Sequence, residues 1–101
     1  MKKRFILALG STSPEQNGAF GEFAREQGLG WWHWLPNMWL LTDSQGQWTA
    51  AGLRDKATDI YGNENVFVLE LRADGSDTWA GYGPNTDKRN MFPWLTSNWK
   101  K

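Results

Sequence analysis

The chain has no cysteine and a single histidine. The first absence excludes disulfide staples, thiolate zinc sites and cysteine nucleophiles, and it fits a reducing, cytoplasmic compartment. The second leaves any imidazole-based metal or proton-transfer site without a second ring. A long apolar run is also missing: behind the basic start Met1-Lys2-Lys3-Arg4, the hydrophobic stretch extends only from Phe5 to Leu9. A secretory signal needs a longer stretch and a membrane span about 20 residues, so neither is expected. No excess of one charge exists, because 11 Lys and Arg face 11 Asp and Glu. Nucleic-acid binders usually carry a basic surplus, since phosphate neutralisation supplies much of their affinity. The basic spots Lys2-Lys3-Arg4, Lys88-Arg89 and Lys100-Lys101 are local and read as solvated ends. Gly81-Tyr82-Gly83 is too short for a phosphate loop, and neither a dinucleotide fingerprint nor a nucleophile elbow occurs.

Tryptophan, by contrast, is abundant. Eight occur in 101 residues, five of them between Trp31 and Trp48. A chain of this length supports one hydrophobic core, assigned here to residues 1–82, with 83–101 as a tail. Arg4 to Leu9 reads as a buried strand. Ser13-Pro14-Glu15-Gln16 is a helix start, with Ser13 as cap, proline at the first position and Gln16 completing a capping box. Ala19, Phe20, Phe23 and Ala24 form its apolar stripe, and Gly28 ends it. Gly30 to Leu35 and Met38 to Thr42 flank Pro36-Asn37, which is hairpin chemistry. Thr49 caps a second helix, in which Ala50, Leu53, Ala57 and Ile60 share a face, and Gly62-Asn63 supplies a left-handed cap. Asn65 to Leu71 is a strand, and Thr78 to Tyr82 a short fifth one. The order β-α-β-β-α-β predicts an α+β, ferredoxin-like domain: an antiparallel sheet with both helices on one face, a fifth strand and a docked, aromatic tail.

In such a domain one sheet face meets water, and its strands should alternate apolar and polar. They do not. Trp32 and Trp34 point one way while Trp31, His33 and Leu35 point the other. Met38-Trp39-Leu40-Leu41 and Val66-Phe67-Val68-Leu69 are apolar on both faces. The uncovered face calls for a cover, either an identical sheet from a second copy, which is preferred, or the chain's own tail. A homodimer is therefore expected.

Trp31, Trp32, His33, Trp34, Trp39 and Trp79 are the candidate binding or interface residues, and His33 with Asp43 the candidate catalytic pair. Each has a plainer account. His33 among tryptophans reads more simply as a packed, hydrogen-bonded ring than as a proton shuttle. Aromatic strands can stack nucleic-acid bases, but the charges near them, Arg25, Glu26 and Asp43, form no basic groove. Asp43, Asp74 and Asp77 fall where aspartate serves turns. Asp55 and Asp59 lie on a solvated helix face. No metal ligand set is indicated, and no cofactor is expected.

The strings Phe5-Ile6-Leu7, Trp31-Trp32-His33-Trp34-Leu35, Trp39-Leu40-Leu41-Thr42-Asp43, Val66-Phe67-Val68-Leu69-Glu70 and Trp79-x-Gly81 together resemble the small bacterial SinR-like proteins. That group is distantly similar to the small CRISPR-associated adaptation protein and to VapD-type ribonuclease toxins. The resemblance covers residues 3–82 and implies a ferredoxin-like fold, a homodimer and metal-dependent nuclease chemistry. In those relatives an aspartate ending the first strand is the proposed metal ligand. Here that position is Gly10, followed by Ser11, and no carboxylate lies between Met1 and Glu15. Glycine offers nothing to Mg²⁺, so the activity does not carry over. Two readings follow: a non-catalytic homodimeric module binding a protein or nucleic acid, and, less favoured, a nuclease with a relocated site that uses His33 with Asp43.

Overall fold

The structure is a computed structural model that describes residues 2–71, 85–90 and 92–99. Six regular elements come first: β1 (Lys3–Leu9), α1 (Pro14–Glu26), β2 (Gly30–Leu35), β3 (Met38–Asp43), α2 (Ala50–Tyr61) and β4 (Val66–Glu70). A single wide helical turn, Leu95–Trp99, follows near the C-terminus. The four strands make one antiparallel sheet in the order β2-β3-β1-β4. Thr78 to Tyr82 and Trp79 lie outside the described residues. Among those described, no helix is long and apolar enough to cross a membrane.

Local chemistry sets the helix ends. The Ser13 hydroxyl accepts from the Gln16 N–H at 3.2 Å, and the Gln16 side chain accepts from the Ser13 N–H at 3.0 Å, closing the capping box. Thr49 caps α2 by accepting from the Gly52 N–H at 3.0 Å. Gly62 has the positive φ expected of it, +77°, but its ψ of −138° is extended rather than helical. The cap therefore turns the chain out toward β4 instead of coiling it through a left-handed turn.

Alternation along the strands separates two cores. Phe5, Leu7 and Leu9 of β1 and Trp39 and Leu41 of β3 face the helices. They pack with Phe20, Phe23 and Ala24 of α1 and Leu53, Ala57 and Tyr61 of α2, so both helices lie on this face. The second core is on the opposite face, where Trp32 and Leu40 are buried against Leu95 and Trp99, flanked by Ile6, Trp34 and Met38. The chain's own segment 92–99 thus covers part of the face for which a second sheet was expected.

What holds this segment down is chemically specific. The Arg4 guanidinium sits 5.2 Å from the Trp99 ring centroid and its Nη1 reaches the Trp99 carbonyl at 3.4 Å. Lys2 Nζ donates to the Asn98 carbonyl. Gly30 is required for the close approach: a Cβ there would run into the Thr42 hydroxyl and come within 3.4 Å of the Trp94 ring. The glycine that opens β2 therefore lets Trp94 lie down on the sheet.

The cover stops short of β4. Phe67 and Leu69 stand opposite Ala8 and Ile6, hence on the outer face, and are 64% and 45% exposed. One expectation about facing is corrected. The pairing slips by one residue between Trp32 and Leu35, so Leu35 stands opposite Met38 on the outer face and not with Trp31 and His33. A single extra residue in β2 reverses every facing beyond it.

Candidate functional site

The described polar side chains converge where the β2–β3 hairpin meets the start of α1. The Asn17 amide donates to Thr12 Oγ1 at 3.0 Å and to the Pro36 carbonyl at 3.1 Å. The Thr12 hydroxyl lies within 2.9 Å of that carbonyl and 2.8 Å of Asn37 Oδ1. From the other side the Tyr61 hydroxyl donates to Asn17 Oδ1 at 2.7 Å, while accepting the Trp39 indole N–H at 3.2 Å. Burial pushes the Tyr61 phenol up to about 12, only partly offset by the Trp39 hydrogen bond. The phenol is therefore a neutral donor across the working pH range. Because its folded value exceeds the ordinary value of about 10, its contribution to stability is complete below pH 10 and is lost as pH rises toward 12. In alkaline denaturation followed by circular dichroism, Tyr61→Phe should flatten the loss of stability across that window.

His33 completes the cluster. Its ring lies flat on Trp39, with centroids 3.8 Å apart and planes 6° from parallel. Its Nδ1 is 2.9 Å from the Met38 carbonyl. A carbonyl only accepts, so in the neutral imidazole Nδ1 carries the proton and Nε2 holds the free lone pair. His33 also lines a cleft of about 330 Å³ together with Thr12, Asn17, Trp34, Leu35 and Pro36. Across the hairpin the Arg89 guanidinium sits 5.2 Å from the Trp34 ring centroid.

Asp43 is elsewhere. It ends β3, whereas His33 lies beside Met38 and Trp39 at the other end, about 13 Å away along the strand at the usual rise. Asp43 is buried, and its carboxylate accepts from the Gly46 N–H at 3.1 Å and the Trp48 N–H at 2.7 Å. The fold therefore does not bring the candidate pair together; Asp43 organises the turn into α2. Among the described residues no group of three or more His, Asp and Glu could hold a metal.

The tryptophans divide by face. Trp32 and Trp39 are buried in different cores, Trp34 is half-buried against the outer one, and Trp31 is exposed on edge strand β2. A carboxylate does come to the end of β1, from the far side. A Cβ at Gly10 would run into the Glu64 carboxylate, which accepts from the Ser11 hydroxyl at 3.0 Å and the Asn65 N–H at 3.1 Å. Asn17, Tyr61 and Glu64 carry no sequence signal for these roles, because the Asn17–Tyr61 and Glu64–Ser11 hydrogen bonds each join residues more than 40 positions apart.

Models of known protein families, curated proteins and solved structures offer no match to this chain.

Proposed function

We propose that the chain is a non-catalytic, cytoplasmic, homodimeric binding module with a ferredoxin-like arrangement, whose two copies join through β4. The order β2-β3-β1-β4, in which each β-α-β unit leaves room for a strand of the other, supports that arrangement. The cysteine-free composition supports the compartment. The resemblance to SinR-like proteins points the same way.

The observation that carries the dimer is the character of β4. Among the described residues it is an edge strand, and proteins usually blunt such edges with lysine, proline or bulges. The opposite edge, β2, has a bulge. The sequence of β4, Val-Phe-Val-Leu-Glu, contains none of these devices, and Phe67 and Leu69 lie bare on one side of it.

The ladder also determines which groups of β4 are not used by β1. Gly10 N–H donates to the Asn65 carbonyl and Leu71 N–H to the Arg4 carbonyl, both at 2.9 Å. In an antiparallel ladder this parity turns Phe67 and Leu69 toward β1 and leaves the N–H and C=O groups of Val66, Val68 and Glu70 facing outward. Two copies related by a twofold axis at Val68 can exchange those bonds. Phe67 of one copy then lies opposite Leu69 of the other, both on the outer face. Self-complementarity of this kind is what a closed dimer requires, and a chain with no net charge does not repel its copy. Burial is worth up to about 1.5–3 kcal/mol for each such side chain.

Light scattering at tens of micromolar should return twice the chain mass of 11.6 kDa. Val68→Pro should return the single mass with an unchanged circular dichroism spectrum, because the N–H it removes faces outward and serves no bond to β1. A monomeric wild type refutes the reading. Trp32, Trp39 and Trp99 are enclosed and so are not available to stack bases, and the chain carries no basic surplus, which favours a protein partner over a nucleic acid.

The competing nuclease reading draws on one observation, the Glu64 carboxylate at Gly10. Labelled RNA and DNA incubated with Mg²⁺ or Mn²⁺ are expected to stay intact. Cleavage abolished by Glu64→Gln would establish the nuclease instead.

A further inference from the structure

We infer that the His33 cleft is a binding site for a small, neutral aromatic ring that carries one hydrogen-bond donor, such as a phenol or an indole. This goes beyond the dimer and is independent of it, since the cleft lies by the β2–β3 hairpin and not on β4.

Three observations select this class of ligand. The first is that the cleft, at about 330 Å³, is the size of a small-molecule site, and Pro14 and Pro36 line it beside His33, with Trp34 and Leu35 bordering it where β2 ends. A small flat body suits that apolar lining. The second is that none of the described residues lining it is Asp, Glu, Lys or Arg, and Arg89, which comes up to Trp34, is already placed on that ring. A cation would lose hydration there without gaining a counter-charge, and an anion would meet only a guanidinium committed to the indole. The start of α1 does not reverse this for an anion, because Glu15 stands in its first turn and Ser13 already serves the Gln16 N–H.

The third observation concerns which polar atoms remain unused. The Asn17 amide is bonded at both ends, to Tyr61 on its oxygen and to Thr12 and Pro36 on its nitrogen. The Thr12 hydroxyl is held by Pro36 and Asn37. On His33, Nδ1 is held by Met38 and the ring is clamped on Trp39, whereas Nε2 has no partner among the described residues. His33 lines the cleft with its ring held by Met38 and Trp39, so Nε2 is the imidazole atom left to accept from a ligand there. Such a site prefers a ligand that donates.

The single histidine makes the test direct, since its ring nitrogens give the only imidazole signals. Full-length ¹⁵N-labelled protein is titrated with phenol and, separately, with toluene, which has the same shape and no donor. Free protein should show Nδ1 protonated and Nε2 in the range of a bare nitrogen. Phenol, binding with a Kd on the order of millimolar as suits so small a ligand, should move the Nε2 signal. It should also bind about tenfold more tightly than toluene, the upper range for one net hydrogen bond. His33→Phe keeps a ring against Trp39 and should remove that preference. Toluene binding as well as or better than phenol would mark a merely apolar hollow and overturn the inference. So would an Nε2 signal that phenol leaves unmoved, or a proton on Nε2 in the free protein. The wild-type measurements decide the matter even where His33→Phe does not fold. They remain readable in Val68→Pro, so failure here is distinct from failure of the dimer.

Discussion

Trp39→Ala should cost about 4 kcal/mol of folding stability, as is usual for truncating a buried tryptophan and a large share of the roughly 5–15 kcal/mol typical of a small domain. Trp39 is 2% exposed and occupies the middle of the sheet on its helix side. Its ring meets Phe20 at 4.9 Å between centroids, stacks on His33 and donates to Tyr61. Truncation therefore opens a cavity between α1 and the sheet, removes the surface that orients His33 and takes away the donor to a buried phenol. Urea denaturation should show a strongly lowered midpoint with little change in slope, the sign of lost stability without a change in the area exposed. Trp39→Phe keeps most of the volume and should lose only about 1–2 kcal/mol, chiefly the hydrogen bond. Equal effects from the two variants would show that the ring's volume is not what matters at this position.

The second large effect is expected at the other core. Trp99→Ala should destabilise the fold by about 3 kcal/mol and release the segment 92–99 from the sheet. Trp99 is 2% exposed, lies under the Arg4 guanidinium and rests 6.2 Å from Trp94, centroid to centroid. Without it Trp32 and Leu40 lose their cover, and the bare patch at Phe67 and Leu69 extends across the whole outer face. Faster proteolysis within 92–99, stronger binding of an apolar dye and aggregation at high concentration should follow. A variant with wild-type cleavage kinetics and a stability change below about 0.5 kcal/mol, the usual effect of a surface substitution, would show that the segment does not depend on this anchor.

Much of the scaffold was legible because its signals are local. Ser13-Pro14-Glu15-Gln16 contains a complete capping box within four residues, and Pro36-Asn37 between two apolar runs marks a hairpin. Two-faced strands such as Val66-Phe67-Val68-Leu69 showed that both sides of the sheet need cover. The site was less legible. The sequence reads His33 as a packed, hydrogen-bonded ring, which the structure shows, but the residues that line its cleft include Thr12, Asn17 and Pro36, with Tyr61 holding Asn17 from behind. Their meeting depends on how α1 and α2 cross the sheet, which no spacing in the chain records. His33 and Asp43 are not brought together for a simple reason: His33 of β2 lies beside the start of the six-residue strand β3 and Asp43 ends that strand, too far apart to share a proton.

The sequence by itself determined the alternation of strands and helices, the caps, the apolar faces and the demand for a second core. These follow from propensity and periodicity over a few residues. Only the tertiary structure decided how that demand is met. Segment 92–99 returns to lie over Trp32 and Leu40, held by Arg4 and admitted by Gly30, while Phe67 and Leu69 are left bare. A hydrophobic residue specifies that it must be buried, but not against what. The choice of neighbour depends on chain reach, on steric fit at one glycine and on a bulge that reverses facing by a single residue.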